Sequence, residues 1–156
     1  METKLPKTLH RKLLEIKRLV PSIKKNQKGF NYDYANPEAV LGTINPLLNE
    51  RGIIVKSEVT EVISSERVQV ETQKGSKPAT LVFIKMRFTL IDTDSDEREV
   101  YEFAASGCNG EDKSFGSALT YGQRYFYLML VNAPQNREDP DHSQAKKTTT
   151  SDDFEL

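Results

Sequence analysis

A single cysteine, Cys108, and two histidines, His10 and His142, are all that this 156-residue chain offers to thiol and imidazole chemistry. One thiol cannot close an internal disulfide, which fits a reducing compartment. It also argues against a structural zinc site. His10 falls in a basic segment and His142 in a polar tail, so no nucleophile–histidine–acid triad can be argued. No apolar run approaches the roughly 20 residues of a membrane span, and the charged start lacks the apolar core of a secretion signal. These absences lead us to expect a soluble cytoplasmic protein that is not an enzyme and uses no cofactor or metal.

Charge is present in both signs but unevenly placed. Residues 1–28 hold nine cations (Lys4, Lys7, Arg11, Lys12, Lys17, Arg18, Lys24, Lys25 and Lys28) against Glu2 and Glu15. Residues 138–156 hold six acids against Lys146 and Lys147. A basic start and an acidic end point to a polyanionic partner and a separate role for the tail, or to two solvated termini. The length suffices for one domain with a core of its own. We place that domain at 1–134 and read 135–156, rich in Asn, Asp, Gln, Lys and Thr, as a disordered linker with an acidic tail.

Leu9, Leu13, Ile16 and Val20 recur at helical spacing and predict a basic amphipathic helix over 7–20, ended by Pro21. The next segment interleaves Lys24, Lys25 and Lys28 with Phe30, Tyr32 and Tyr34, the aromatics alternating as along an extended chain. Asn36 and Pro37 form a helix start, cap then first turn. Ala39, Val40, Ile44, Leu47 and Leu48 supply that helix's apolar side, Gly52 stops it, and Pro46 should kink or divide it.

From Ile53 to Ser106 the period becomes two. It predicts strands near 53–62, 67–73, 79–91 and 98–106, with turns at Ser64-Ser65, Lys74–Pro78 and Asp92–Asp96. The clearest strand sets Thr80, Val82, Ile84, Met86, Phe88 and Leu90 on one face and Lys85 and Arg87 on the other. Its connections are too short for parallel crossovers, so the sheet should be antiparallel. The fold class is therefore α+β: an antiparallel meander of three to four strands packed on helices.

A helix over 113–131 is the most informative segment. At 100° per residue, Phe115, Ala118, Leu119, Gly122, Tyr125, Phe126, Met129 and Leu130 share one side. Lys113, Ser117, Thr120, Tyr121, Arg124 and Tyr127 share the other. The first side suits docking on a sheet. The second suits a phosphate backbone and base faces, or is simply a basic surface.

Two motifs tempt and fail. Gly107 to Ser114 has the outline of a phosphate-binding loop, but Asp112 stands where its second glycine is required. Asp112 is better read as a helix cap with Lys113 as a contact in the first turn. Asp92, Asp94 and Asp96 resemble the start of a calcium loop, yet Glu97 replaces its glycine and Phe103 its closing glutamate. An acidic hairpin turn is the reading left.

GFNYDYANPEAVLGTINPLLNERGI followed by GCNGEDKSFGSALTYGQRYFYLMLVNAP is similar to the ERF family of phage and prophage single-strand annealing recombinases. The resemblance lies in Lys28-Gly29-Phe30-Asn31-Tyr32, in Pro46-Leu47-Leu48 with Gly52, and in Asp112-Lys113 through Gly116-Ser117-Ala118-Leu119-Thr120-Tyr121 to Arg124-Tyr125. Gln123 departs from the pattern, where the family often has a second basic residue. The resemblance covers about residues 8–134. It implies ATP-independent single-stranded DNA binding, annealing of complementary strands in homologous recombination of phage or prophage DNA, and action in the cytoplasm of a bacterial host. It also implies a homo-oligomeric ring or filament and a core like that of eukaryotic annealing proteins of the Rad type. A protective single-strand-binding protein without annealing activity, or a protein-interaction adaptor, is the alternative.

On that basis Lys113 and Arg124, with Ser117 and Thr120, are the expected phosphate contacts, and Lys24, Lys25 and Lys28 extend the track. Tyr121, Tyr127, Phe30, Tyr32 and Tyr34 are candidates for base stacking or for packing. Lys85 and Arg87 are further cationic candidates. The tail residues Asp152, Asp153, Phe154 and Leu156 resemble acidic, apolar-ended recruiting tails, whose partner would be an exonuclease or a single-strand-binding protein.

Overall fold

Residues 8–20, 27–28, 33–34, 36–110 and 113–132 are described by the computed structural model, with 27–28 and 33–34 as backbone alone. The elements run α1 (Leu9–Leu19), β1 (Gln27–Lys28), β2 (Asp33–Tyr34), α2 (Pro37–Glu50), β3 (Ile53–Thr72), β4 (Gly75–Asp92), β5 (Arg98–Asn109) and α3 (Lys113–Val131). β1 and β2 form a small antiparallel pair. β3, β4 and β5 form an antiparallel meander in sequence order, as the short connections require.

The alternation in β4 carries the core. Val82, Ile84, Met86, Phe88 and Leu90 are all buried, as the period of two predicts. Phe88 stacks on Phe126 of α3 with ring centroids 4.0 Å apart and on Phe103 of β5 at 5.4 Å. α3 packs on β5 and β4, and α2 packs between β3 and α3. The opposite face of the sheet carries no helix among the described residues. Its middle row is the charge ladder Glu58–Arg87–Glu102, with Arg87 at 3.0 Å and 2.9 Å from the two carboxylates.

α1 and α2 begin as their sequences dictate. The Thr8 hydroxyl caps α1 by accepting from the Arg11 N–H, and Asn36 caps α2 by accepting from the Ala39 N–H at 2.8 Å. Gly52 leaves α2 with φ +67°, a conformation that favours glycine. Its carbonyl then accepts from both the Thr93 amide and hydroxyl, which ties the end of α2 to the β4–β5 turn.

α1 is bolted to the same turn by charge. Lys12, counted in the sequence among the solvated cations, is 5% exposed and donates to Asp92 at 2.7 Å and Asp94 at 2.6 Å. Asp92 is fully buried. Burial opposes both charges, yet the hydrogen bonds win: Lys12 is held above its ordinary pKa and Asp92 below its own. The Leu9 amide adds a bond to Glu97 at 2.7 Å. The acidic turn is thus a docking point for α1, and among the described residues no acidic cluster suits a metal ion.

Two expectations are corrected, and a third, that Pro46 kinks or divides α2, is narrowed. Ser64-Ser65 is not a turn: β3 runs unbroken through it, with register irregularities between Val59 and Glu61 and between Val62 and Ser64. β3 is the edge strand of the sheet and only half-buried or exposed after Ile53, so the buried alternation is lost there, and that loss mimics a turn. Only Gln73 and Lys74 separate β3 from β4, so Pro78 lies within β4 opposite Gln69. There β4 has one neighbour, and a strand with an open side tolerates the missing N–H. Pro46 stands inside α2 without dividing it. Pro46 and the residue four before it, Gly42, are both exposed, so water can reach the carbonyl whose bond is lost.

A further correction sets the site. Phe115, Tyr125 and Met129, assigned to the buried side of α3, are 40%, 49% and 57% exposed. Small residues meet the sheet instead. A Cβ at Gly107 would fall on the Ser114 carbonyl and lie 2.6 Å from the Ala118 nitrogen. One at Gly122 would fall on the Met86 sulfur. Close backbone approach therefore turns Ser114, Ala118 and Gly122 to the strands and moves the large side chains to the flank.

Candidate nucleic-acid interface

Beyond the last β5 residue the β3–β4 pair continues alone as a two-stranded ribbon, from Val68 opposite Ala79 to Thr72 opposite Gly75. A cleft of about 750 Å3 opens where this ribbon meets the start of α3. Arg67 from β3, Lys77 from β4 and Lys113 from α3 line it, together with Thr80, Asn109 and Gly110. Among the described lining residues none is acidic.

Register explains the convergence. Arg67 pairs with Thr80, and Thr80 pairs with Asn109, so one row across the sheet ends at the mouth of the cleft. Ser114, in the first turn of α3, locks the corner. Its buried hydroxyl donates to the Thr80 carbonyl at 2.6 Å and accepts from the Asn109 amide at 3.0 Å. The Asn109 side-chain amide bonds the Ser117 hydroxyl. The helix end carrying Lys113 is thereby fixed beside the ribbon, and its dipole adds positive potential.

Lys113 is thus joined by two cations that sequence reasoning did not single out, Arg67 and Lys77. Only reading 67–80 as one hairpin ribbon would have found them, since their local composition is ordinary. Arg124 is elsewhere, eleven residues along α3 or roughly 16 Å at 1.5 Å per residue. It is 5% exposed, with its guanidinium over the rings of Tyr121 (5.1 Å) and Tyr125 (4.6 Å). Tyr121 itself is 39% exposed.

Other expected contacts have structural partners. Tyr127 is buried edge-on against Phe126, bonds Asn45 of α2, and has its pKa raised by burial. Its side of the helix is covered by α2, a layer that periodicity along one helix does not reveal. Thr120 donates to the Gly116 carbonyl within α3. Lys85 lies 3.1 Å from Glu102, which Arg87 also bonds; hydrogen bonds from Arg87 first, then Lys85, lower the Glu102 pKa. Lys28 and Tyr34 lie in the β1–β2 pair as backbone. Lys24, Lys25, Phe30, Tyr32, Asp112 and the tail residues Asp152, Asp153, Phe154 and Leu156 fall outside the described residues.

No described helix is long and apolar enough to cross a membrane. Compared with known proteins, the ERF superfamily model matches residues 9–153, which takes in every element of the fold. No curated protein and no solved structure matches the chain.

Proposed function

The chain belongs to the ERF superfamily, and we propose that it binds single-stranded DNA in the Arg67–Lys77–Lys113 cleft and anneals complementary strands without nucleotide hydrolysis. The observation that carries this reading is the convergence of three cations from three elements on one open cleft. A backbone of regularly spaced phosphates is a ligand such a cleft fits. Pairing of complementary strands is downhill by about 1.4 kcal/mol per stacked step. The protein has only to offset phosphate repulsion and hold the bases accessible. No bond need be made or broken, so the chain acts as a binding protein.

Two complementary dye-labelled oligonucleotides, mixed with the purified chain and no nucleotide, test the reading. We expect annealing well above the spontaneous rate. We also expect single-strand affinity to fall with salt, and the slope to flatten by about 0.7 for each phosphate contact removed in Arg67→Ala, Lys77→Ala and Lys113→Ala. Tight binding without acceleration would leave a protective single-strand-binding protein. An unchanged slope in the triple variant would remove the cleft from the interface.

A further inference from the structure

The cleft beside the ribbon gathers charge of one sign, unlike the packed parts of the fold. Elsewhere cations meet carboxylates: Lys12 meets Asp92 and Asp94, Lys85 and Arg87 meet Glu102, and Arg51 meets Glu15. Arg67, Lys77 and Lys113 converge without one, and among the described residues none of the three has an ion pair. Like charges gathered in this way repel one another and draw an anion. The chain's excess of acid lies outside the described residues, in two groups. Glu138, Asp139 and Asp141 stand beside Arg137; Asp152, Asp153 and Glu155 surround Phe154, with no cation from Thr148 to Leu156.

Length selects between the groups. Lys113 and Val131 stand at the two ends of α3, roughly 27 Å apart at 1.5 Å per residue. From Asn132 a segment must return at least that distance to meet the cleft. At about 3.4 Å per residue an extended chain carries Glu138 about 20 Å and Asp152 about 68 Å. The first group falls short or arrives fully stretched. The second arrives with length to spare.

We propose that residues 151–156 fold back and occupy the Arg67–Lys77–Lys113 cleft of the same chain, as an internal stand-in for a nucleic-acid strand. Asp152, Asp153 and Glu155 then face three cations, in charge-assisted pairs of the kind phosphates make. Pro78 and Ala79 line the same cleft and give Phe154 an apolar contact. The rival surface is the uncovered face of the sheet, where Lys56 and Arg98 line a recess of about 430 Å3. Glu58 lines that recess too and opposes a carboxylate.

Tethering makes the contact intramolecular, so weak pairs suffice to fill the cleft. A strand must displace the segment, and salt loosens both contacts at once. The chain therefore binds strands less tightly, and with a shallower salt dependence, than its cations alone would allow. That consequence rests on the proposed function; the contact itself does not.

The contact is tested on the full chain without DNA. A carbodiimide joins a carboxylate to an amine where the two already pair. Peptide mass spectrometry should find Asp152, Asp153 or Glu155 linked to Lys77 or Lys113, and the links should disappear at high salt. In an equal mixture of unlabelled and heavy-isotope-labelled chain, each link should join peptides of one isotope. No link to either lysine, or links of mixed isotope, overturns the proposal. Asp152→Asn with Asp153→Asn and Glu155→Gln changes no residue of the described fold. It should raise single-strand affinity about three- to tenfold at low salt and steepen the fall of affinity with salt, so that the two proteins converge as salt rises. Raised affinity without the links belongs to net charge and overturns the proposal, as does unchanged affinity in a chain that binds strands. If the links form but neither protein binds an oligonucleotide, the strand-binding reading falls and the contact stands.

Discussion

The two ends of β4 behave as if they belonged to different proteins. From Val82 to Leu90 every second residue is buried under α3 and α2, and Phe88 is stacked on both sides. From Gly75 to Pro78 every residue is exposed, and the facing residues of β3 from Gln69 to Thr72 are exposed too. The first region is held by burial of apolar surface, the second by the backbone ladder and a few exposed side-chain hydrogen bonds, Thr72 to the Gly75 carbonyl and Ser76 to Gln69 among them. Stability should therefore reside in the first. The second is free to carry charge, and the candidate cleft sits at their junction, where ribbon cations meet a rigidly held helix end.

Breaking the covered end should cost most. Lys12→Met leaves Asp92 buried without its cation, and we expect a loss of roughly 3–5 kcal/mol in urea unfolding; a loss under 1 kcal/mol would show that the pair does not hold α1. The same pair sets a pH window. Asp92 has a folded pKa below its ordinary 3.8, so its contribution is intact above that value and lost as the pH falls through the lowered one. Lys12 is raised above 10.5, so its contribution is intact below that value and lost as the pH rises through the raised one. Unfolding of Lys12→Met across the acid range should lack the Asp92–Lys12 part of the decline.

A milder break comes from Gly107→Ala, whose methyl would press on the backbone of α3. About 1–3 kcal/mol of destabilisation is expected, together with weakened strand binding, because the same strand–helix contact holds Lys113 in place. Stability lost with binding intact would separate helix seating from the cleft. The smallest effect sharpens the contrast. Glu71→Ala in the ribbon should change stability by no more than about 0.5 kcal/mol, measured by the same urea unfolding, and a larger loss would mean that the ribbon packs as the sheet does.

Much of this was legible in the chain. The alternation of β4, the Asn36-Pro37 helix start, the Gly52 stop and the span of α3 all followed from local rules, because caps, turns and periodicity are satisfied by neighbours in sequence. The boundary of β3 was not legible. An edge strand that the helices leave largely uncovered needs no buried face, so Ser64-Ser65 read as a break. Nor was the phase of α3, because the pattern that placed Phe115, Tyr125 and Met129 inside weighs size and hydrophobicity. The decisive contacts were instead made by Gly107 and Gly122, where nothing larger fits.

What the sequence determined by itself is the inventory: an antiparallel meander, three helices with their ends, a basic start, and the ERF pattern later matched across 9–153. What only the tertiary structure decided is which charges act together. Lys12 left the surface to hold a buried aspartate, and Lys85 and Arg87 joined a carboxylate ladder. Arg124 lay between tyrosines far along the helix from Lys113, while Lys113 gained Arg67 and Lys77 as neighbours. Local rules see a few residues in either direction. The partner of a charge is chosen by strand register and helix packing across dozens of residues, and those exist only once the chain has folded.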